Sequence, residues 1–258
     1  MPLTTDFHNH VFRSSATQMA ASARQKGIHI LGLSEHVFQM NEGRPALTHM
    51  ILEGPMLAIT QYLTAVRAAA QDEKLDVRAG LEVDFIPAKN EQIQAALQGY
   101  DWDYLIGSVH EIDGVELERQ PVTSPEQGEA LWRRYFTLLH EAVKSGYFNV
   151  ISHPARMRLK NPHEPSDIDE EYERLAAAAT QHNVALELNG FDMLSYPDTV
   201  KRLARACALH HTPVSVGSDA HIPPKIAQAH PQTEQLLRAN GIHTIRIWKK
   251  RAVEEYEM

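Results

Sequence analysis

Leu3-Thr4-Thr5-Asp6-Phe7-His8-Asn9-His10 starts as a short strand-like segment and ends in two histidines one residue apart. The same construction returns along the chain. Ile28 to Leu33 leads into Ser34-Glu35-His36, Val77 to Val83 carries Gly80-Leu81-Glu82-Val83-Asp84, and Tyr104 to Val109 runs into His110. Phe148 to Ile151 leads into Ser152-His153-Pro154, Val184 to Leu188 carries Glu187-Leu188-Asn189-Gly190, and Pro213 to Val216 leads into Gly217-Ser218-Asp219-Ala220-His221. Ile242 to Trp248 is a candidate for a last edge strand. Nearly every apolar run thus delivers a metal-ligand type of residue at or near its carboxyl end.

Helical patterns fill the intervals, and Ser124 to Gly146 is the clearest. Ser124 reads as N-cap, Pro125 as the first helical residue and Gln127 as the return partner of a capping box. Leu131, Trp132, Tyr135, Phe136, Leu138, Leu139, Ala142 and Val143 repeat at helical spacing, and Gly146 suits the left-handed stop. Similar windows run over 15–26, 55–71, 91–98, 169–182, 197–211 and 231–239, with Gly27, Gly99, Asn183 and Gly241 as stops. Strand and helix in alternation, with no linker or repeat, predict a parallel sheet covered by helices. The 258 residues fit one α/β domain spanning 1–258. The polar strand ends favour closure into a barrel, because a parallel barrel gathers the carboxyl ends of its strands on one face.

Composition excludes several classes. With 43% hydrophobic and 22% charged residues the chain is neither disordered nor fibrous. No apolar run reaches the roughly 18–20 residues needed to span a bilayer, so no membrane role is expected. One cysteine, Cys207, forms no internal disulfide, and no leader-like segment opens the sequence, so a reducing cytoplasm is the expected compartment. A net charge of −8 argues against broad nucleic-acid binding, which depends on Lys and Arg neutralising phosphates.

Six histidines, His8, His10, His36, His110, His153 and His221, together with Glu82 and Asp219, fall at the strand ends. A lone His-x-His pair is weak evidence and a lone Glu is weaker; the conjunction carries the argument. On an extended strand end, alternate residues project to one side, so His8 and His10 can reach the same ion. Neutral imidazoles give affinity, while carboxylates neutralise charge and bridge adjacent ions. A nitrogen and oxygen set without sulfur suits Zn, Mn or Fe. The remaining nine histidines lie in helical windows or loops and are read as solvated or packed.

These motifs, in this order and over almost the whole chain, resemble the PHP family, named for its polymerase and histidinol-phosphatase members. Gly80-Leu81-Glu82-Val83-Asp84-Phe85 and Asp103-Tyr104-Leu105-Ile106-Gly107-Ser108-Val109-His110 look most like the histidinol-phosphate phosphatase branch. The resemblance implies a distorted, TIM-like seven-stranded (β/α) barrel holding two or three divalent metal ions. By its pattern His8, His10, Glu82 and Asp219 hold the first ion, and Glu82, His110 and His153 the second, with Glu82 bridging. His36 and His221 belong to a third, whose remaining family ligand falls on Ala16.

The expected reaction is hydrolysis of a small phosphate monoester, with L-histidinol phosphate foremost and histidine biosynthesis as the setting. Paired cations neutralise the phosphoryl group and supply a bridging hydroxide near neutral pH. Arg156, Arg158 and Lys160, close after His153, are candidate phosphate ligands, since a guanidinium grips phosphate through paired hydrogen bonds. Asp219 or His221 is the candidate acid for the leaving group. Asp6, Glu35 and Asp84 are expected to orient imidazoles, and Glu111, Glu118 or Asp192 to meet an ammonium group. The rival readings are a phosphatase or phosphodiesterase acting on nucleotides, disfavoured by the lack of an aromatic and basic groove, and a metal binder without turnover. An amidohydrolase is also disfavoured, because Glu82 rather than a lysine takes the bridging place.

Overall fold

The structure is a computed structural model describing residues 2–52 and 54–258. The chain runs β1 (Thr5–Asp6), α1 (Ala16–Gln25), β2 (Ile30–His36), α2 (Ile59–Glu73), β3 (Asp76–Asp84), α3 (Asn90–Leu97) and β4 (Tyr104–Ser108). A two-stranded hairpin follows, β5 (Glu111–Ile112) and β6 (Val115–Glu116), and then α4 (Pro125–Lys144), β7 (Val150–Ile151), α5 (Ile168–Gln181) and β8 (Ala185–Asn189). The last elements are α6 (Gly190–Ser195), α7 (Pro197–Leu209), β9 (Val214–Gly217), α8 (His230–Ala239), β10 (Thr244–Lys249) and β11 (Ala252–Glu257).

Seven strands form one parallel sheet in the order β1-β2-β3-β4-β7-β8-β9. The ends of the sheet meet: Phe7 N donates to Val216 O at 2.9 Å, Asp219 N to His8 O at 2.7 Å and His10 N to Ala220 O at 2.9 Å. The result is a nearly closed (β/α) barrel, as the strand-end chemistry predicts. Period-two alternation divides each strand. In β3, Leu81 and Val83 face the helices in the main core cluster, while Glu82 turns inward and upward.

The lower interior is packed rather than open. Phe7, Tyr104, Ile106, Val150, Ala185, Ile247 and Trp248 form a separate buried cluster. Tyr104 takes space left by glycine, since a Cβ at Gly80 would lie 2.3 Å from its ring. Trp248 closes the bottom, its ring 6.2 Å from Tyr104 and 6.1 Å from Phe7. The expected edge strand over 242–248 is corrected here. A strand does form, but β10 pairs antiparallel with β11 in its own sheet, and it serves as a plug rather than as a barrel edge.

The helix stops follow the sequence. Gly27, Gly99, Gly146, Gly241 and Asn183 all have positive φ, the conformation that ends a helix most cheaply at glycine or asparagine. Ser124 Oγ accepts from Gln127 N at 3.3 Å, but the expected return bond is displaced by one residue, since Gln127 Oε1 accepts from Thr123 N at 2.8 Å. Cys207 is buried and burial pushes its thiol up to about 12, which leaves it inert at neutral pH. Among the described residues no helix is long and apolar enough to cross a membrane.

Candidate metal centre

The strand ends place all eight expected ligands at one mouth. Glu82 stands at the centre, 1% exposed, and its two oxygens face two different imidazole groups. Oε1 lies 3.1 Å from His110 Nε2 and 3.0 Å from His153 Nε2. Oε2 lies 3.2 Å from His8 Nε2, 3.5 Å from His10 Nε2 and 2.8 Å from His36 Nδ1. Asp219 Oδ1 closes the second group, 3.3 Å from His10 Nε2 and 3.9 Å from His8 Nε2. His221 joins from the rim, its ring 4.3 Å from that of His10. Ala16, where the third-ion pattern asks for a ligand, is a buried methyl at the start of α1.

Buried polar atoms normally find partners. Here His8 Nε2, His10 Nε2, His36 Nδ1 and Glu82 Oε2 are buried without a hydrogen bond. Three overlapping groups, His8-His10-Glu82, His36-Glu82-His110 and His10-His36-His221, each bring ligand atoms within 4.8 Å of one another. The four unpaired atoms converge without hydrogen-bond alignment, as ligands of divalent cations do, whereas Glu82 Oε1 is hydrogen-bonded to Ser108 Oγ at 2.7 Å and to His153 Nε2 at 3.0 Å.

A second layer aims these rings. His8 Nδ1 is 2.8 Å from Glu187 Oε1, His110 Nδ1 is 2.7 Å from Asp84 Oδ1, and His10 Nδ1 is 3.4 Å from Glu35 Oε1. Glu35 also accepts from Val11 N and Phe12 N, both at 2.8 Å, which fixes the turn after His10. Asp6 departs from its expected role and orients no imidazole. Its carboxylate instead accepts from Ser218 N, Ser218 Oγ and Ala227 N and ties β1 to the loop that carries Asp219. The sequence alone assigns Glu187 no role; its one signal is an acid on the inward face of a strand end. Asp219 and His153 both have positive φ, 55° and 31°, backbone strain of the kind held at functional sites.

The charges are strongly coupled. Burial raises the Glu82 carboxyl, yet the surrounding His8, His36 and His110 outweigh it and hold the group well below its usual range. Burial lowers His10 and His110, but Asp219 and Glu35 lift His10 to about 9, and Glu82 and Asp84 lift His110 to about 10. In the metal-free protein these acids favour the doubly protonated, cationic form of both rings, and metal ligation needs them neutral. Metal uptake at pH 7 is expected to release protons, and affinity to rise with pH toward 9–10. Zinc titrated into metal-free protein in weakly buffered indicator solution checks this; binding without acidification would contradict it.

A cleft of about 490 Å³ opens over the centre. Of the three cations expected at phosphate, only Arg156 lines it, with Arg13 and Lys225 as two that the sequence did not single out. Arg158 pairs with Glu164 at 3.5 Å and is absent from the cleft, as is Lys160. The reason is local: Arg156–Leu159 form a helical turn, which carries every second side chain to a different side. Of the three acids expected at an ammonium, Glu118 lines the cleft. Glu111 is instead bonded to His49, and Asp192 is buried behind Arg156, 2.7 Å from its Nε.

The PHP domain family profile matches residues 6–190. The chain belongs to the PHP domain family. A probable histidinol-phosphatase of Deinococcus radiodurans is 30% identical over 197 residues, 72% of this chain and 74% of that protein. A probable phosphatase of Vibrio cholerae is 25% identical over 231 residues, 86% of this chain and 79% of the other. The fold is also that of a histidinol phosphate phosphatase from Lactococcus lactis, solved with zinc, L-histidinol and phosphate. The two share a TM-score of 0.78 at 17% identity, over 97% of this chain and 98% of that one. As a PHP member with phosphatase relatives, the chain is an enzyme of the phosphatase class. Asp219 and His221 lie beyond the matched segment and reach the site because β9 closes the barrel against β1.

Proposed function

We propose that this PHP enzyme is a metal-dependent phosphomonoesterase that hydrolyses L-histidinol phosphate to L-histidinol and phosphate. The observation that carries the reading is Glu82, whose two oxygens separate His110 and His153 from His8, His10 and His36. This placement would let the carboxylate be shared by two ions. His8, His10, Glu82 and Asp219 would hold one, and Glu82, His110 and His153 the other, with His36 and His221 available beside them. Zinc, manganese or iron bound there supplies positive charge against the phosphoryl oxygens and lowers the pKa of water toward neutrality.

The chain's own side chains do the rest. Arg156 offers its guanidinium to the phosphate from the cleft wall. Phe38, Met50, Ile51, Leu117 and Phe191 line the cleft and shield the leaving group from water. Glu118 faces the same space and meets the positive charge of an amino alcohol. Asp219 is a poor proton source. Burial opposes its charge, yet Arg156 and His8 hold it well below its usual range, so it acts as an anion. Burial and the neighbouring His10 push His221 down to about 3, so neither member of the expected pair is a ready proton source in the metal-free protein; His221, 30% exposed at the rim, is the one open to solvent and to a leaving group in the cleft.

Phosphate release should be compared across L-histidinol phosphate, nucleoside monophosphates and an aryl phosphate. The expected result is a kcat/KM for histidinol phosphate at least about 10²-fold above the aryl phosphate, the scale that pocket shape and apolar contacts alone supply. Equal values would defeat the substrate assignment, and preference for a nucleotide would replace it.

A further inference from the structure

Arg156 is fastened on three sides. Its Nε donates to Asp192 Oδ1 at 2.7 Å, its Nη2 donates to Asn189 Oδ1 at 3.3 Å and to Asp219 Oδ2, and its Cζ lies over the Phe191 ring, 5.0 Å from the centroid. Nη1 alone has no hydrogen-bond partner among the described residues, and Arg156 lines the cleft. Behind it, Tyr196 donates its hydroxyl to the same Asp192 oxygen at 2.5 Å, while Asp192 Oδ2 is buried without a partner.

As a stabilising device this is a poor arrangement. Asp192 is 0% exposed, a buried carboxylate is costly unless well compensated, and here both donors crowd one oxygen while the other has none. As a device for aiming a guanidinium it makes sense. Fixing Nε and Nη2 fixes the plane, and with it the direction of Nη1. Burial pushes the Asp192 carboxyl up to about 6, against the pull of Arg156 and Tyr196, so it remains ionised and able to hold the cation at neutral pH. The same clamp acts on Asp219. Oδ2 is occupied by Arg156 and by Asn189 Nδ2 at 3.3 Å, which leaves Oδ1 turned to His8 and His10.

We infer that Asp192 and Tyr196 are positioning residues, which set the Arg156 guanidinium so that one edge holds Asp219 and the free end meets the substrate phosphate. The inference rests on the phosphate-binding role proposed above for Arg156. It adds two residues that do not line the cleft, and a direction of action through Arg156.

The test is competitive inhibition by inorganic phosphate, with KM and kcat, in metal-loaded wild type, Arg156→Ala, Asp192→Asn, Tyr196→Phe and the double variant Arg156→Ala/Asp192→Asn. Asp192→Asn is expected to weaken phosphate inhibition and raise KM by about tenfold, the scale of one charge-assisted hydrogen bond. Tyr196→Phe should act in the same direction with a smaller effect, and it keeps the test available if Asp192→Asn does not fold. In the double variant, Asp192→Asn should add less than twofold to the loss from Arg156→Ala, because it acts only through that residue. A full, additive loss in the double variant would overturn the inference, as would unchanged phosphate inhibition in both Asp192→Asn and Tyr196→Phe. If Arg156→Ala itself leaves phosphate inhibition unchanged, the underlying role of Arg156 fails, and that outcome is distinct from the other two.

Discussion

Glu82→Gln is expected to remove phosphomonoesterase activity and, with it, tightly bound metal. The glutamine has nearly the same shape, so the barrel should still fold. What changes is the donor set: one neutral carbonyl oxygen and an NH2 group replace two anionic oxygens, and the NH2 end would turn a donor toward one of the proposed ion positions. Because each oxygen of Glu82 faces its own imidazole group, one of the two proposed ion positions would lose its shared ligand whichever way the amide is oriented. The loss should exceed the roughly 10²–10³-fold that a single preorganised electrostatic group is worth. Metal content by elemental mass spectrometry and phosphate release by colorimetry check it together. A Glu82→Gln protein that retains both would remove the carboxylate from the centre of the account.

Glu187→Gln should produce the next largest effect, of a different kind. Glu187 touches no expected ion position directly. Its Oε1 receives His8 Nδ1 at 2.8 Å, and its Oε2 receives His153 N at 2.8 Å and Asn189 Nδ2 at 3.0 Å. Both oxygens face donors, so an amide NH2 at either place opposes one of them. His8 and His153 belong to the two different groups around Glu82, and a single substitution therefore loosens both. Metal affinity is expected to fall by about 10–100-fold, the usual range for a partner behind a metal ligand, and activity should return when excess metal is added. Activity that is lost but not restored by metal would place Glu187 in another role.

Much of this was legible in the sequence, for definite physical reasons. His8-x-His10 and Ser218-Asp219-Ala220-His221 are local patterns at the ends of apolar runs, and a parallel barrel must bring such ends together. Glu187 was harder to read, since one acid on a five-residue strand looks like many solvated strand ends until closure shows which ring it meets. The place of Asp192 behind Arg156 is not legible in the sequence, which does not show that the turn over Arg156–Leu159 sends Arg156 back across it. The hairpin over Glu111–Ile112 and Val115–Glu116 and the six-residue helix Gly190–Ser195 are too short for periodicity to register. Trp248 sits in a segment correctly read as a strand, but its place beneath Tyr104 is a long-range contact that no local pattern encodes.

Anomalous scattering from crystals of the purified protein, with elemental analysis of the same sample, tests the central claim most directly. Two metal peaks are expected on either side of Glu82, about 3.5–4 Å apart as in two-metal hydrolytic sites, one beside His8, His10 and Asp219 and the other beside His110 and His153. A single ion, or ions bound elsewhere while these side chains turn away from one another, would contradict it.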